Sequence, residues 1–397
     1  MRKVLIALIA AAIASQGYAK TIAVAPGADA QTRLQSALIE AQPGDVVQIA
    51  AGRYELTDGL SLDVERVTVR GAGADKTVLS FKGQQGAGEG LLVTSDDVVL
   101  RDFAIEDSRG DGIKSKGADR IVYKGIRVEW TGGPKATNGA YGIYPVESHD
   151  VLIDGCVVRG ASDAGIYVGQ SENIIVRNSI AEYNVAGIEI ENSRRAEVRG
   201  NVARHNAGGI LVFDLPNLPM VGGGQVKVIA NTIEANDTPN FAPKANIVAS
   251  VPTGTGVLIM ANDHVEVLNN TLRDNGSANV MIVSYRLPFT DQRYRPTPDN
   301  VLLSNNIHGK AGFAPAFPGG AQIAAAFGGT LPPVIWDGSG EAQGIANADK
   351  VPAMTLGLGV GAPLESAKPA PVELPLARRM GSLPDIVLHT SMEQAAR

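Results

Sequence analysis

Short apolar triplets recur along the chain with polar residues between them, starting at Val98, Ile121, Val151, Ile174, Ala196, Val226, Val265 and Val301. The intervals between starts are 23, 30, 23, 22, 30, 39 and 36 residues. Within each triplet the first and third residues are apolar or small, the two-residue period of a strand that turns one face inward. Seven positions after the start another small or apolar residue returns: Ile105, Val128, Val158, Ala181, Ala203, Ile233 and Leu272. A second strand then opens at Gly112-Ile113, Gly142-Ile143, Gly165-Ile166, Gly187-Ile188, Gly209-Ile210 and Gly256-Val257, and at Asn279-Val280 without the glycine. A basic unit of about 22 residues, built from short strands and tight corners, is one rung of a parallel β-helix.

Five residues after each start the column reads Phe103, Ile126, Cys156, Ser179, Asn201, Asn231, Asn270 and Asn306. Its last four members predict an asparagine ladder, with side-chain amides bonded from rung to rung inside a corner. Cys156, the only cysteine, has no internal disulfide partner and reads as a small buried member of that column. Ahead of the repeat, Asp29 is placed to cap a helix whose Leu34, Ala37, Leu38 and Ala41 share one face, a lid for the open end of the coil. The strands 46–49 and 67–69 then start the winding. Past residue 310 the repeat stops. Ten of the 22 prolines fall in 311–397, which predicts an irregular segment wrapped over the coil or partly free of it.

Composition adds an address and removes some functions. Met1-Arg2-Lys3, the apolar run Val4 to Ala14 and the ending Gly17-Tyr18-Ala19 read as a signal peptide over 1–19, so the mature chain is expected in the periplasm or secreted. No later run is long enough to span a membrane as a helix. The net charge of −6 argues against nucleic acid as a partner, because phosphate binding draws on a basic surplus.

Residues two and four places after each second-strand Gly point outward, and in rung order these pairs are Lys114/Lys116, Tyr144/Val146, Tyr167/Gly169, Glu189/Glu191, Leu211/Phe213, Leu258/Met260 and Met281/Val283. This wall begins polar and basic, turns acidic and ends apolar. From the repeat, and from "IAVAPGADAQTRLQSALIEAQPGDVVQIAAGRYEL" and "VTVRGAGADKTVLSF", the chain resembles the right-handed, pectate-lyase-like β-helix superfamily over roughly residues 21–310, especially exported bacterial proteins of the carbohydrate-binding and sugar-hydrolase repeat type. That resemblance implies an all-β, right-handed solenoid as one domain over 20–310. It leaves activity open, since this scaffold hosts lyases, epimerases, hydrolases, adhesins and accessory proteins.

"YGIYPVE", residues 141–147, is similar to the Tyr-Gly-Phe-Asp-Pro-His-Glu motif of alginate C5-epimerases. Tyr141, Gly142, Pro145 and Glu147 match; Tyr144 and Val146 stand where that family has its essential Asp and His. The resemblance implies proton abstraction from a uronate, by a lyase or an epimerase; with that Asp and His absent, the residues at hand for it are Tyr141 or Tyr144 as acid or base, with Lys114 and Lys116 to steady the carboxylate. Tyr144 over Tyr167 is equally a sugar-binding platform or a packing pair. His149 reads as a corner residue.

Tyr167, Glu147, Glu189 and Glu191 are the candidate substrate-binding residues, although Glu189 and Glu191, with Asp163 and Asp150 near, read equally as a solvated charged face. No cofactor is called for, although calcium could use such a carboxylate set, as it does in pectate lyases of this fold. Leu211, Phe213, Leu258, Met260 and Met281 would form a bare apolar strip, so the insertions 214–224, 237–255 and 285–300 or the C-terminal segment are expected to cover it. The alternative is that the strip docks a periplasmic protein, which would make the chain a noncatalytic accessory.

Overall fold

The computed structural model describes residues 19–86, 88–377 and 381–397. All of the expected leader except Ala19 lies outside the described residues. The rest winds into a right-handed parallel β-helix with three long sheets. Sheet A has twelve strands, from Thr21–Val24 to Ile345–Asn347, and sheet B has ten, from Gly52–Glu55 to Ile307–His308. Sheet C has twelve, from Leu60–Leu62 to Ala370–Pro371. From Val46 to Trp336 the chain visits A, B and C in turn on each rung, so every recurring triplet lies in or beside a sheet-A strand.

The core is a column of inward side chains running the length of the coil. Val98, Ile121, Val151, Ile174, Val226 and Val265 are all fully buried in it. The asparagine ladder forms as expected at the corner between sheets A and B. The backbone N–H and Nδ2 of Asn201 both donate to Asn231 Oδ1, at 2.9 and 3.0 Å, and Asn231 does the same to Asn270 Oδ1, at 2.9 Å each. Cys156 is buried in that column and receives no solvent; burial pushes its thiol up to about 12.

Helix α1 (Ala30–Glu40) seals the first turn with Leu34, Ala37, Leu38 and the following Ala41 buried. Asp29 sits at its N-cap, but its carboxylate makes no capping bond; the lid is held by its buried apolar face and by Gln35, which exchanges 2.9 Å bonds with the backbone of Ser61. Beyond residue 310 the winding continues. Val334–Trp336 and Ala353–Thr355 extend sheet C, and Ile345–Asn347 extends sheet A. Short helices α2 (Gly320–Ala326) and α3 (Thr390–Ala395) interrupt this last part.

Residues 381–397 run back across the outer face of sheet A. Leu388, Met392 and Ala396 pack on Val122, Leu152 and Ile175. Glu393 accepts two bonds from the Arg177 guanidinium, at 2.9 and 2.8 Å, and Asp385 pairs with Lys227 at 2.7 Å.

Candidate functional site on sheet C

Register brings the outward column together as the spacing implied. Lys114 pairs with Tyr144, Tyr167 with Glu189, Glu189 with Leu211, and Leu211 with Leu258. The Ile143–Ile166 pairing sets Tyr144 beside Tyr167. Three tyrosine rings meet there: Tyr141 lies 4.5 Å from both Tyr144 and Tyr167, and Tyr144 meets Tyr167 edge-on at 5.0 Å. Gly169 makes this arrangement fit. A Cβ at that position would stand 2.3 Å from the Tyr167 hydroxyl, so the ring lies along its own strand only because residue 169 has no side chain. The hydroxyl then reaches the next rung and donates to Glu191 Oε1 at 2.7 Å.

The acidic pair departs from expectation. Glu189 is 1 % exposed and Glu191 7 %, so they are not a solvated face, and Tyr167 is also buried. Their cover is the 237–255 insertion, which places Val248 and Val251 in the same apolar cluster as Tyr167, Leu211 and Phe213. The apolar strip is covered as expected, which removes the alternative of a docking face. Leu211, Phe213, Leu258, Met260 and Met281 are 0–7 % exposed beneath the chain's own insertions and C-terminal segment, so they offer no free surface to a periplasmic partner.

Two further carboxyl groups complete the cluster. Asp163, at the corner before the strand Ala164–Gly169, is 5 % exposed and accepts a 2.7 Å bond from Asn246 Nδ2 of the insertion. Asp111 stands one rung before Tyr141 and accepts its backbone N–H at 3.1 Å. Asp111 has the place before its Gly that Tyr141 has before Gly142, a parallel visible in the sequence but unused. Asn246 gave no signal, because it belongs to an insertion outside the repeat. Asp150 does not join the cluster; it lies on the strand His149–Asp154 of sheet A. Among the described residues no group of three or more His, Cys, Asp or Glu is arranged to hold a metal ion.

Burial sets the protonation of this group. Desolvation raises Asp111 to about 6, against the pull of the Tyr141 N–H. Desolvation also raises Asp163 to about 7, with the Asn246 bond opposing and the Asp111 charge adding. Glu189 and Glu191 hydrogen-bond to each other, and burial drives both upward, Glu189 the further. One Glu189 oxygen is buried without a partner, which suits a neutral carboxyl better than a charged one. Burial and the neighbouring carboxylates push Tyr144 up to about 12 and raise Tyr141 and Tyr167 as well, so all three stay phenols.

The lysines are engaged elsewhere. Lys114 lies 3.3 Å from Glu89, with its ammonium 5.0 Å from the Tyr144 ring centre. Lys116 is 3.7 Å from Glu147, and both of those side chains are well exposed. His149 is exposed and lies 3.4 Å from Asp119, away from the tyrosines.

The model of the right handed beta helix region matches residues 64–221. No curated protein matches the chain. Among solved structures, the AlgE4 A-module of the Azotobacter vinelandii mannuronan C-5 epimerase is similar at 16% identity, covering 81% of this chain and 90% of its own, with a TM-score of 0.56. The AlgE6 A-module of the same organism is also similar, at 16% identity over 80% of this chain and 87% of its own, with a TM-score of 0.51. The DFA-IIIase of Arthrobacter chlorophenolicus is similar at 13% identity over 84% and 97%, with a TM-score of 0.54. These likenesses fix the fold.

Proposed function

We propose that the chain binds carbohydrate on sheet C and acts on it by proton transfer, with Tyr141 and Tyr144 against the sugar and Asp111, Asp163 and the Glu189–Glu191 pair as the titrating groups. One observation carries this reading: four carboxyl groups, three of them buried, converge on an aromatic cluster that is only partly covered, with Asp111 bonded to the Tyr141 N–H and Glu191 to the Tyr167 hydroxyl. A general acid must hold its proton near the working pH, and burial gives Asp111 and Asp163 that property. The C–H faces of a sugar ring pack on aromatic faces, and Tyr141 and Tyr144 are the half-buried ones.

Glycosidic bond hydrolysis suits the site better than abstraction from a uronate. The carboxyl proton passes to the leaving oxygen as the C–O bond breaks, water adds to the anomeric carbon, and its proton returns to a carboxylate. A uronate would bring a further negative charge beside this acidic group, and the lysines that could offset it already face Glu89 and Glu147. The tyrosines, held as phenols, suit donation rather than abstraction. With residues 1–19 as the expected leader, the mature protein would work outside the cytoplasm; cell fractionation checks that.

The similarity of fold to mannuronan epimerase A-modules, together with the "YGIYPVE" segment, favours a second reading: uronate epimerisation or β-elimination with Asp111 or Asp163 as base. A panel of neutral glycans and uronate polymers separates the two. Reducing-end release from a neutral glycan, lost in Asp163→Asn and Glu191→Gln, supports the first. Unsaturated products or solvent deuterium at C5 of a uronate support the second. Inertness toward the whole panel would leave a noncatalytic accessory.

A further inference from the structure

The outward column of sheet C changes from open to covered along the coil. Ser61, Leu92, Lys114 and Tyr144 are exposed or half-buried. From the next rung onward the members are Tyr167 at 4 %, Glu189 at 1 %, Leu211 at 0 %, Leu258 at 4 % and Met281 at 5 %. The change occurs within one rung step, and the carboxyl cluster straddles it. The open stretch spans four rungs, roughly 15 Å, room for a few sugar units.

The covering mass is fixed at this edge. Asn246 reaches Asp163 at 2.7 Å, and behind it Asn240 Nδ2 donates to the carbonyls of Val248 and Val251 at 2.8 and 2.9 Å, which holds the insertion in one shape. On the opposite margin of the sheet, Tyr294 of the 285–300 insertion donates to Asp214 O at 2.6 Å, tying two insertions together. A chain lying along the open rungs therefore meets a wall at the Tyr144–Tyr167 step.

We infer that this wall makes the site select chain ends: a linear glycan approaches along the Leu92–Lys114–Tyr144 rungs with one terminus against the 237–254 overhang, and its terminal linkage reaches Asp111 and Asp163. This rests on the carbohydrate reading above and deepens it. An interior unit of a long chain would require the glycan to continue through space filled by Asn246, Val248 and Val251.

The test uses linear and cyclic hexasaccharides of glucose and of fructose, with binding followed by calorimetry and products by chromatography. The linear forms should bind about tenfold or more tighter than the cyclic ones, which have no ends. Any turnover should release small products first. Asn246→Ala, and replacement of 240–250 by a short Gly-Ser turn, should narrow that preference toward parity. Equal binding of linear and cyclic forms, or early interior cleavage, would overturn end selection while leaving the carbohydrate reading intact. No binding and no turnover with any probe would overturn both.

Discussion

At the scale of single residues, the carboxyl cluster links burial to pH. Asp163 and Glu191 titrate near 7 in the folded protein, whereas in the unfolded chain they ionise in the ordinary carboxylate range. Between about pH 4 and pH 7 the folded state therefore binds more protons, and stability falls as pH rises through that window. Glu106 and Glu182 act the other way. Despite burial, the guanidiniums of Arg53 and Arg127 hold Glu106 low, and those of Arg204 and Arg159 hold Glu182 low, so their contribution is lost as pH falls below the carboxylate range. Thermal melting should peak in mildly acidic buffer. Asp163→Asn should raise Tm by about 1–2 °C at pH 8, the shift that about 1 kcal/mol gives in a chain of this length, and change little at pH 4. A variant whose gain is equal at both values would show that Asp163 is not held protonated. Gly169→Ala should evict the Tyr167 ring from its strand and break the bond to Glu191, costing roughly 1–3 kcal/mol in urea unfolding. Lys114, Tyr144, Tyr167 and Glu189 were legible as neighbours because strand period and rung spacing alone place them. The burial of Glu189 was not legible, since it depends on an insertion whose path no periodicity describes.

At the scale of elements, corners rather than strands set the register. The ladder at Asn201, Asn231, Asn270 and Asn306 follows from its column in the sequence, and a second one stands at the corner between sheets B and C. There Asn184, Asn206, Asn236 and Asn275 repeat the same bonds, with each Nδ2 donating to the next Oδ1 at 3.0–3.1 Å. Its signal was present in the spacings, 22, 30 and 39 residues, which match the intervals of the sheet-A triplets over the same rungs. Asn231→Ala would strand the buried N–H of Asn201 and open a gap in the ladder. The expected loss is about 2–4 kcal/mol by denaturant unfolding, the size of a buried donor left unmet plus its lost partners. Sheet B adds a ladder of ions on its outer face. Arg53 and Arg127 share Glu106 at 2.7 and 2.8 Å, and Arg159 and Arg204 share Glu182 at 2.7 and 2.8 Å. With that wall charged, sheet C is the wall that combines aromatic rings, titrating carboxyls and an open approach.

At the scale of the whole molecule, a solenoid made of nearest-neighbour contacts must protect both ends and every bare face. Helix α1 closes the first turn. At the other end Ala370–Pro371 pairs antiparallel with Ala353–Thr355, and Pro371, lacking an N–H, makes a poor template for a further strand. The returning tail protects sheet A. Deleting 382–397 should uncover Val122, Leu152 and Ile175, raise binding of a hydrophobic dye and lower Tm by about 5 °C or more. An unchanged melt and no dye uptake would mean the tail adds nothing to the folded state. The same tail changes how the rungs depend on one another. Arg101 donates to the carbonyl of Ala395 at 2.8 Å, 294 positions along the chain, and Arg177 grips Glu393 across 216. A stack of this kind could otherwise assemble rung by rung as it leaves the ribosome. Here the outer stripe of the early rungs stays bare until residues 381–397 have been made and folded back, so a coil that is otherwise finished carries an adhesive flank until that distant segment arrives.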